Sequence, residues 1–418
     1  MSDEKLVSHL NISDDPTVSG PVTPDPFIPN DANIFPKFIH NIDRSCWELW
    51  QFDAVSAEDD TAVSFSFYRA PGNLEKGGFH VDINAIWPDG SKWATTLLFE
   101  ESTVTSGGQP DIVFNHENQE ASFQNVTTGI WRSTASKTSA SFNIANDLSI
   151  ATVRLDCPSR VTGTVHLTAL RARGSSSSSN STGADGRLPA TEEEALLAPS
   201  IYYLFPMGPA TAAIDLAFTE GPNGESGAAL KQIVARPGDG ARGSIVRGWS
   251  VLSFPQMLSD AYYLNAAVGP YMLQLIRIES AASAGGQPHT LTRLYRDNKL
   301  VFAAQDVSHA TAGSGGEPRG NAVVVTKVMA GDPGPEGIAA AFRDKNIGRS
   351  IELIEKDGAA RGRRWLFQVR HRRAWWSEPT SALGVAGPGK SGFIETVFGG
   401  LEGEEPFQGP GLAGQLQI

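Results

Sequence analysis

The stretch from Cys46 to Glu100 decides the fold, because it repeats the same kind of segment four times. The segments are CWELWQFDAV (46–55), AVSFSFYRA (62–70), GGFHVDINAIW (77–87) and WATTLLFE (93–100). Each is short and rich in aromatic and β-branched residues, and turn residues such as Pro88-Asp89-Gly90 separate them. This pattern predicts antiparallel β-strands.

The third segment alternates apolar and polar side chains. Its apolar positions are Phe79, Val81, Ile83 and Ala85, and its polar positions are His80, Asp82 and Asn84. A strand with this period has one apolar face and one polar face. The polar face either contacts solvent, as in most half-buried antiparallel sheets, or lines a cavity.

Two features divide the chain. Residues 1–30 are polar, contain several prolines and show no periodicity, which is typical of an arm. Residues 174–186, GSSSSSNSTGADG, have low complexity and cannot bury enough surface to join a core, so we expect a linker there. The 418 residues exceed one ordinary core. We therefore predict an N-terminal arm (1–30), a first domain (31–190, with the linker 174–186) and a second domain (191–418).

Further strands are predicted on both sides of the linker. In the first half they lie near residues 121–123, 141–144, 150–155 and 162–170. After one short capped helix at 191–197, they lie at 200–205, 212–218, 245–252, 261–268, 271–279, 290–295, 300–306, 322–328, 350–356 and 364–376. This many short strands with glycine- and proline-rich turns predicts an all-β protein built as a sandwich or barrel.

Composition excludes several classes of partner. The formal net charge of −12 argues against nucleic acid, whose recognition depends on clustered lysine and arginine. No apolar run is long enough to span a membrane, and the N-terminus lacks the apolar segment of a signal peptide. The two cysteines, Cys46 and Cys157, cannot form a disulfide framework and indicate buried thiols in a reducing compartment, although a single bridge stays open. We expect a cytoplasmic protein.

One stretch near the C-terminus matches a nucleotide-binding motif. Residues Gly384–Ser391, GVAGPGKS, satisfy G-x-x-x-x-G-K-[ST]. That motif requires a buried strand before the loop and a helix after it. The preceding residues 377–381 form a proline-containing turn sequence, and residues 393–398, FIETVF, are typical of a short strand. We interpret the motif as a coincidence that places Lys390 on a glycine-rich loop among aromatic residues.

Other catalytic signatures are missing. The chain has no H-E-x-x-H, paired C-x-x-C or G-x-S-x-G pattern, and no G-x-G-x-x-G between a strand and a helix. The basic run at 361–373 alternates with Trp365, Phe367 and Val369, which predicts an outward-facing basic strand rather than a nucleic-acid patch. The sequence therefore indicates a site without metal or cofactor, built from large aromatic residues and isolated polar groups.

Several segments resemble a known family. They are WELWQFD (47–53), GGFHVDINAIWPDG (77–90), YYLFPMGP (202–209), VRGWS (246–250), DAYYLNAAVGPYMLQ (260–274), WSEPTSA with GKSGF (376–393) and the terminal GQLQI (414–418). In this order they are similar to the fungal decalin-forming Diels–Alderases, which belong to the wider carotenoid-hydratase-like, lipocalin-related group. The resemblance implies an N-terminal β-sandwich followed by a C-terminal lipocalin-like β-barrel, with the substrate pocket between them.

The resemblance also implies site residues. Lys390 matches the lysine that holds the polar head of the substrate, Asn84 matches an amide on the polar face of its strand, and Gln51 is the third expected catalytic residue. The expected substrate-binding residues are Trp249, Trp376, Tyr68, Tyr203, Asp53, Asp82 and Phe393. Some relatives carry a glutamate where this chain has Gln51, and an amide donates as well as accepts hydrogen bonds.

The implied activity is the cofactor-independent intramolecular [4+2] cyclisation of a linear polyenoyl tetramic acid to a trans-decalin. The enzyme would act downstream of a polyketide synthase–nonribosomal peptide synthetase, and its partner would be a hydrophobic polyene rather than nucleic acid or a membrane. Two alternatives stay open from the sequence. One is a lipocalin-like carrier of a hydrophobic metabolite, and the other is a hydratase or isomerase like the carotenoid-hydratase relatives.

Overall fold

Two antiparallel sheets form the computed structural model of the chain. The structure describes residues 6–56, 58–76, 78–108, 126–170, 188–219, 231–306, 321–329, 346–356, 362–379 and 389–418. The predicted linker at 174–186 and the predicted strand at 121–123 lie outside these residues. Within them the fold is nearly all-β, a sandwich sheet followed by a nearly closed barrel, so the predicted fold class is confirmed.

The first sheet takes fifteen strands from residues 6–250. They are β1 (Leu6–Asn11), β2 (Trp47–Val55), β3 (Ala62–Arg69), β4 (Phe79–Ile86), β5 (Lys92–Phe99), β6 (Glu101–Gly108), β7 (Val126–Ser133), β8 (Thr138–Ala145), β9 (Ile150–Cys157), β10 (Val161–Ala169), β11 (Leu196–Ala198), β12 (Ile201–Leu204), β13 (Ala210–Phe218), β14 (Lys231–Ala235) and β15 (Arg242–Ser250). The main path runs β1-β6-β7-β8-β9-β10-β13-β15-β2-β3-β4-β5. Short 3₁₀ helices cover Ile12–Asp14 and Pro71–Lys76, and helix α1 covers Glu192–Ala195.

This sheet folds over on itself to make the sandwich. Apolar side chains of β2, β3 and β4 pack on those of β7, β8 and β9 in one core, where Trp50, Trp131 and Phe142 are in mutual ring contact. The indole N–H of Trp131 donates to the carbonyl of Tyr68 across the two layers (3.1 Å). The core therefore uses one face of β2–β4 and leaves their other face for a second partner.

The sheet boundaries differ from the predicted domain boundaries. Part of the predicted arm forms β1, which pairs with β6. At the other end, β13 and β15 hydrogen-bond to β10 and β2 of the first sheet. The sandwich therefore continues to Ser250, beyond the boundary predicted at residue 190, because strands distant in sequence complete its ladder.

The second sheet forms the barrel from residues 258–417. Its strands are β16 (Leu258–Val268), β17 (Tyr271–Ser280), β18 (Pro288–Arg296), β19 (Lys299–Asp306), β20 (Ala322–Met329), β21 (Asn346–Ile354), β22 (Arg364–Pro379), β23 (Gly389–Leu401) and β24 (Phe407–Gln417), with α2 at Phe254–Met257 and a 3₁₀ turn at Ala282–Ala284. The order is β19-β18-β17-β16-β24-β23-β22-β21-β20, and β19 lies close to β20.

The strand β22 has the alternation that the sequence predicted. Trp365, Phe367 and Val369 are buried inside the barrel, whereas Arg370 and Arg372 are exposed. The strand continues to Pro379, into the predicted turn at 377–381, and pairs with β23. Lys390 and Ser391 therefore lie in a strand, not at the start of a helix, which agrees with the rejection of the nucleotide motif.

Two further sequence expectations concern the whole chain. Cys46 and Cys157 are both buried and free, as the preferred interpretation predicted. Burial raises the pKa of the Cys46 thiol to about 12 and that of Cys157 to about 11. Among the described residues, no helix has the length and apolar character needed to cross a membrane.

Candidate active site

The barrel covers the face of β2, β3, β4 and β15 that the sandwich core leaves free. We call this contact the sandwich–barrel interface. Its buried apolar members include Leu49, Val55, Tyr203 and Val246 from the sandwich and Tyr263, Ile276, Trp375, Ile394 and Leu412 from the barrel. Burial of these apolar side chains is the main force that holds the two sheets together.

Two rows of polar side chains lie on the sandwich side of this interface. Strand register aligns them across β15, β2, β3 and β4, because side chains two apart on a strand share a face. One row contains Ser244, Asp53, Ser64 and Asn84, and the next contains Gln51, Ser66 and Asp82, with the apolar Val246 at its β15 end. The polar face of β4, whose environment the sequence left open, therefore faces the barrel.

Asp53 is the most constrained group in these rows. Its carboxylate is almost completely buried. It accepts hydrogen bonds from the Gln51 amide (3.0 and 3.2 Å) and from the Tyr263 hydroxyl of barrel strand β16. Burial raises the pKa of Asp53 to about 6, although both hydrogen bonds oppose that rise. Asp53 thus fixes the side-chain amide nitrogen of Gln51, and the side-chain carbonyl oxygen of Gln51 points away from Asp53.

Asn84 and Asp82 are both half-buried at the edge of the rows. Asp82 accepts a hydrogen bond from the Thr96 hydroxyl (2.6 Å). Within the described part of the chain, the Asn84 side chain has no hydrogen-bond partner. The amide of Asn84 is therefore available to a bound molecule.

A third row adds aromatic residues above the polar rows. It contains Tyr68 and His80, whose rings stack at 4.6 Å, and Tyr203, which pairs through the backbone with Gly248. Burial, with a smaller contribution from the Asp82 carboxylate, raises the pKa of Tyr68. Burial likewise raises the pKa of Tyr203, with Asp53 adding to it. Both phenols therefore stay protonated and can donate hydrogen bonds near neutral pH.

Lys390 and Trp376 come from the barrel side. Lys390 is half-buried on β23 and shares its strand face with Gly392 and with Ile394 of the interface. Its Cα partners are Leu416 and Glu378 on the two neighbouring strands. Trp376 is half-buried and packs against the interface, and Gly392 leaves the space that the indoles of Trp375 and Trp376 fill. The preceding residues 380–388 lie outside the described ranges.

The structure does not bring two of the expected residues to this group. Trp249 points from β15 into the sandwich core, where it stacks on Tyr202 at 4.6 Å. Phe393 points into the barrel, where its ring stacks on His371 at 3.9 Å. In both cases the alternation of the strand turns the side chain away from the interface. Val246 on β15 and Lys390 on β23 lie three positions from Trp249 and Phe393, so they face the interface instead.

Tyr263 is not among the site residues expected from the sequence, yet it contributes the barrel's hydrogen bond to Asp53 and approaches Ser244 (3.5 Å). Burial and the Asp53 carboxylate raise the pKa of Tyr263. The available signal was the pair Tyr262-Tyr263 in a strand, of which only one can face the sandwich. In the described residues, no group of three or more histidine, cysteine, aspartate or glutamate side chains has the arrangement of a metal site.

The geometry combines neutral donors, one buried carboxylate and a lysine with flanking aromatic walls. The model of the Diels-Alderase-like family matches residues 2–418. The chain belongs to the Diels-Alderase-like family. The protein is therefore an enzyme of the Diels–Alderase class, as the resemblance implied.

Individual relatives agree over their full lengths. Diels-Alderase gNR600 from a fungal species is 44% identical, with 99% of this chain and 98% of the relative aligned. Diels-Alderase phm7 from Pyrenochaetopsis is 38% identical over 100% and 99% of the two chains. The crystal structure of CghA with Sch210972 superposes with a TM-score of 0.80 at 32% identity, covering 99% of this chain and 98% of CghA.

Proposed function

We propose that this Diels–Alderase closes a linear polyenoyl tetramic acid into a trans-decalin at the sandwich–barrel interface. The observation that carries the proposal is the pair of polar rows around Asp53 and Asn84, held on a sheet face that the barrel covers. The polyene would lie along the aromatic and apolar side chains, and its oxygenated head would meet the polar groups. The linear substrate would come from a polyketide synthase–nonribosomal peptide synthetase.

The reaction joins a diene and a dienophile within one molecule, so it needs no nucleophile and no net proton transfer. Catalysis therefore depends first on folding the chain into a reactive conformer. Trp376, Tyr68 and Tyr203 would restrict the conformers that fit, and this restriction would set the stereochemistry.

Hydrogen bonds to the tetramate carbonyls would supply a second contribution. Hydrogen bonds from Lys390 and from the unpartnered amide of Asn84 would withdraw electron density from the conjugated dienophile. These hydrogen bonds would strengthen as negative charge develops on the carbonyl oxygens. Gln51 differs from these two, because its amide nitrogen already donates to Asp53. We therefore assign Gln51 the role of accepting from the substrate through its carbonyl oxygen, with Asp53 and Asp82 as supporting contacts.

Replacing Lys390 tests the proposal. A charge-assisted hydrogen bond contributes about 1.5–3 kcal/mol, so Lys390→Ala should slow cyclisation by roughly one to two powers of ten and reduce the diastereomer ratio. The measurement is the rate and the isomer ratio with a purified linear polyenoyl tetramic acid. Lys299→Ala is the matched control, because Lys299 is exposed at the start of β19.

The same assay separates the other candidate functions. An unchanged rate and ratio in Lys390→Ala would remove this lysine from the mechanism. A wild-type protein that leaves the isomer ratio of the buffer reaction unaltered would act as a carrier, and a product heavier by one water would indicate a hydratase.

A further inference from the structure

A cavity of about 450 Å³ lies between the sandwich and the barrel, away from Lys390. Arg242 lines it from the sandwich and Ala267 from the barrel. Lys390 is aligned through Leu416 with Ala261, six residues before Ala267 on β16. At about 3.3 Å per residue, the two positions are roughly 20 Å apart along the strand. The cavity therefore lies far from Lys390, and Arg242 is two residues from Ser244 at the end of the first polar row.

Arg242 is the group in this cavity that lacks a counter-ion. It is half-buried at the start of β15, and its guanidinium has no ion pair or hydrogen bond to any residue in the described ranges. A guanidinium pairs best with a planar oxyanion that can accept two hydrogen bonds. Arg242 is thus positioned to hold an anion that enters from solvent.

The other charged groups that line the cavity already have partners. Arg372 forms an ion pair with Asp60 (2.9 Å). The Glu395 carboxylate is buried inside the barrel, where it contacts His371 Nδ1 (2.9 and 3.0 Å) and accepts a hydrogen bond from Tyr262 (3.4 Å). The unpaired charge of the cavity is therefore positive.

Tyr271 also lines the cavity, and its ring packs in the barrel core against Phe367 and Phe407. It is 2% exposed, and its hydroxyl has no hydrogen-bond partner among the described residues. A buried hydroxyl without a partner is destabilising. Leu170 and Met272 add apolar surface to the same lining.

We propose that this cavity binds a small carboxylate with a short apolar body. The carboxylate pairs with Arg242, and the apolar body contacts Leu170 and Met272. The proposal does not depend on the identity of the cyclisation substrate, because it uses none of the residues assigned to that reaction.

Calorimetric titration with octanoate tests the proposal, with octylammonium as the probe of opposite charge. Octanoate should bind saturably at one site, and octylammonium should not bind. Arg242→Gln should weaken octanoate roughly tenfold to a hundredfold, the range of one charge-assisted contact. Ala267→Phe keeps the charge but fills the cavity, so it should abolish binding while the protein stays folded.

Two controls locate the bound octanoate. Arg236→Gln removes an exposed arginine before β15 and should leave the affinity unchanged. Lys390→Ala should also leave it unchanged. The proposal is overturned if octanoate shows no saturable binding at millimolar concentration, if Arg242→Gln binds it like the wild type, or if only Lys390→Ala weakens it.

Discussion

Asp53 connects the sandwich and the barrel through one side chain. It belongs to β2, accepts from Gln51 on the same strand and accepts from Tyr263 on the barrel. Its burial disfavours the ionised form, which is why its pKa rises from 3.8 to about 6. The folded protein consequently binds a proton at Asp53 more tightly than the unfolded chain does.

This shift gives a pH dependence of stability. Below the unfolded pKa of 3.8, the raised pKa of Asp53 does not lower the free energy of unfolding. The free energy of unfolding falls as pH rises from 3.8 through the folded pKa of about 6, and it levels off above that value. Relative to Asp53→Asn, the wild type should lose about 2 kcal/mol of unfolding free energy between pH 4 and pH 7. Urea denaturation at a series of pH values measures it.

Asp156→Asn is the control for that experiment, because Asp156 is exposed on β9. Its difference from the wild type should stay nearly constant over the same pH range. If the curve of Asp53→Asn runs parallel to that of the wild type, Asp53 is ionised without a burial cost.

Residue-level prediction from the sequence was uneven. The alternation in β4 placed Asp82 and Asn84 together on one face, and the structure shows the same face. The sequence could not show which face of β15 or β23 the barrel would use, since register between distant strands decides it. Trp249 and Phe393 therefore turned out to face the two cores, and Tyr263 was not among the expected site residues.

Gly392 determines how closely β23 approaches the tryptophans of β22. A Cβ atom at this position would overlap the indole nitrogens of Trp375 and Trp376. Gly392→Ala should therefore displace both rings, cost about 1–3 kcal/mol of stability and lower the stereoselectivity of cyclisation. Denaturation and the isomer ratio are the two measurements.

Gly414 provides a control in the same row. It is the Cα partner of Gly392 on β24, and a Cβ there would meet Tyr263 and Trp376 only at 3.8 and 4.0 Å, which is ordinary contact. Gly414→Ala should leave the stability and the isomer ratio nearly unchanged. Equal effects of the two substitutions would contradict this explanation. They would show that the loss of a glycine, and not the loss of space for the indoles, changes the stability and the isomer ratio.

The N-terminal segment is attached to the sandwich by a buried ion pair. Glu48 on β2 pairs with Arg247 on β15 and also accepts from the backbone N–H groups of Lys37 and Phe38 (2.8 and 3.1 Å). Arg247→Met would leave the Glu48 charge buried without its partner, so we expect a loss of about 3–5 kcal/mol. Chemical denaturation measures it.

An exposed pair gives the comparison. Arg132 pairs with Glu101 but is 59% exposed, so Arg132→Met should cost less than about 1 kcal/mol. A loss of similar size in both variants would contradict the importance of burial at Arg247.

Most strands of the barrel could be predicted from alternation and turn residues, and so could the fold class. Strands with weaker patterns, such as β1, β6, β7 and β14, were not predicted. Each contains glycine, serine or charged residues that weaken the local strand pattern, and pairing with a neighbour stabilises it as a strand.

At the scale of the whole molecule, the sandwich takes strands from both sides of the predicted linker. Composition marked residues 174–186 as a break, but hydrogen bonding places β13 and β15 in the first sheet. This pairing matters for the proposed site, because β15 helps to build the face on which Asp53 and Gln51 lie. The proposed site therefore depends on long-range pairing that no local pattern reveals.

We propose that the reaction takes place where the barrel covers this face. The most direct measurement is a crystal structure of the protein with its trans-decalin tetramate product. We expect the bicycle against Trp376 and Tyr68, with the tetramate oxygens toward Lys390 and Asn84. Product bound inside the barrel, or only in the cavity at Arg242, would contradict it.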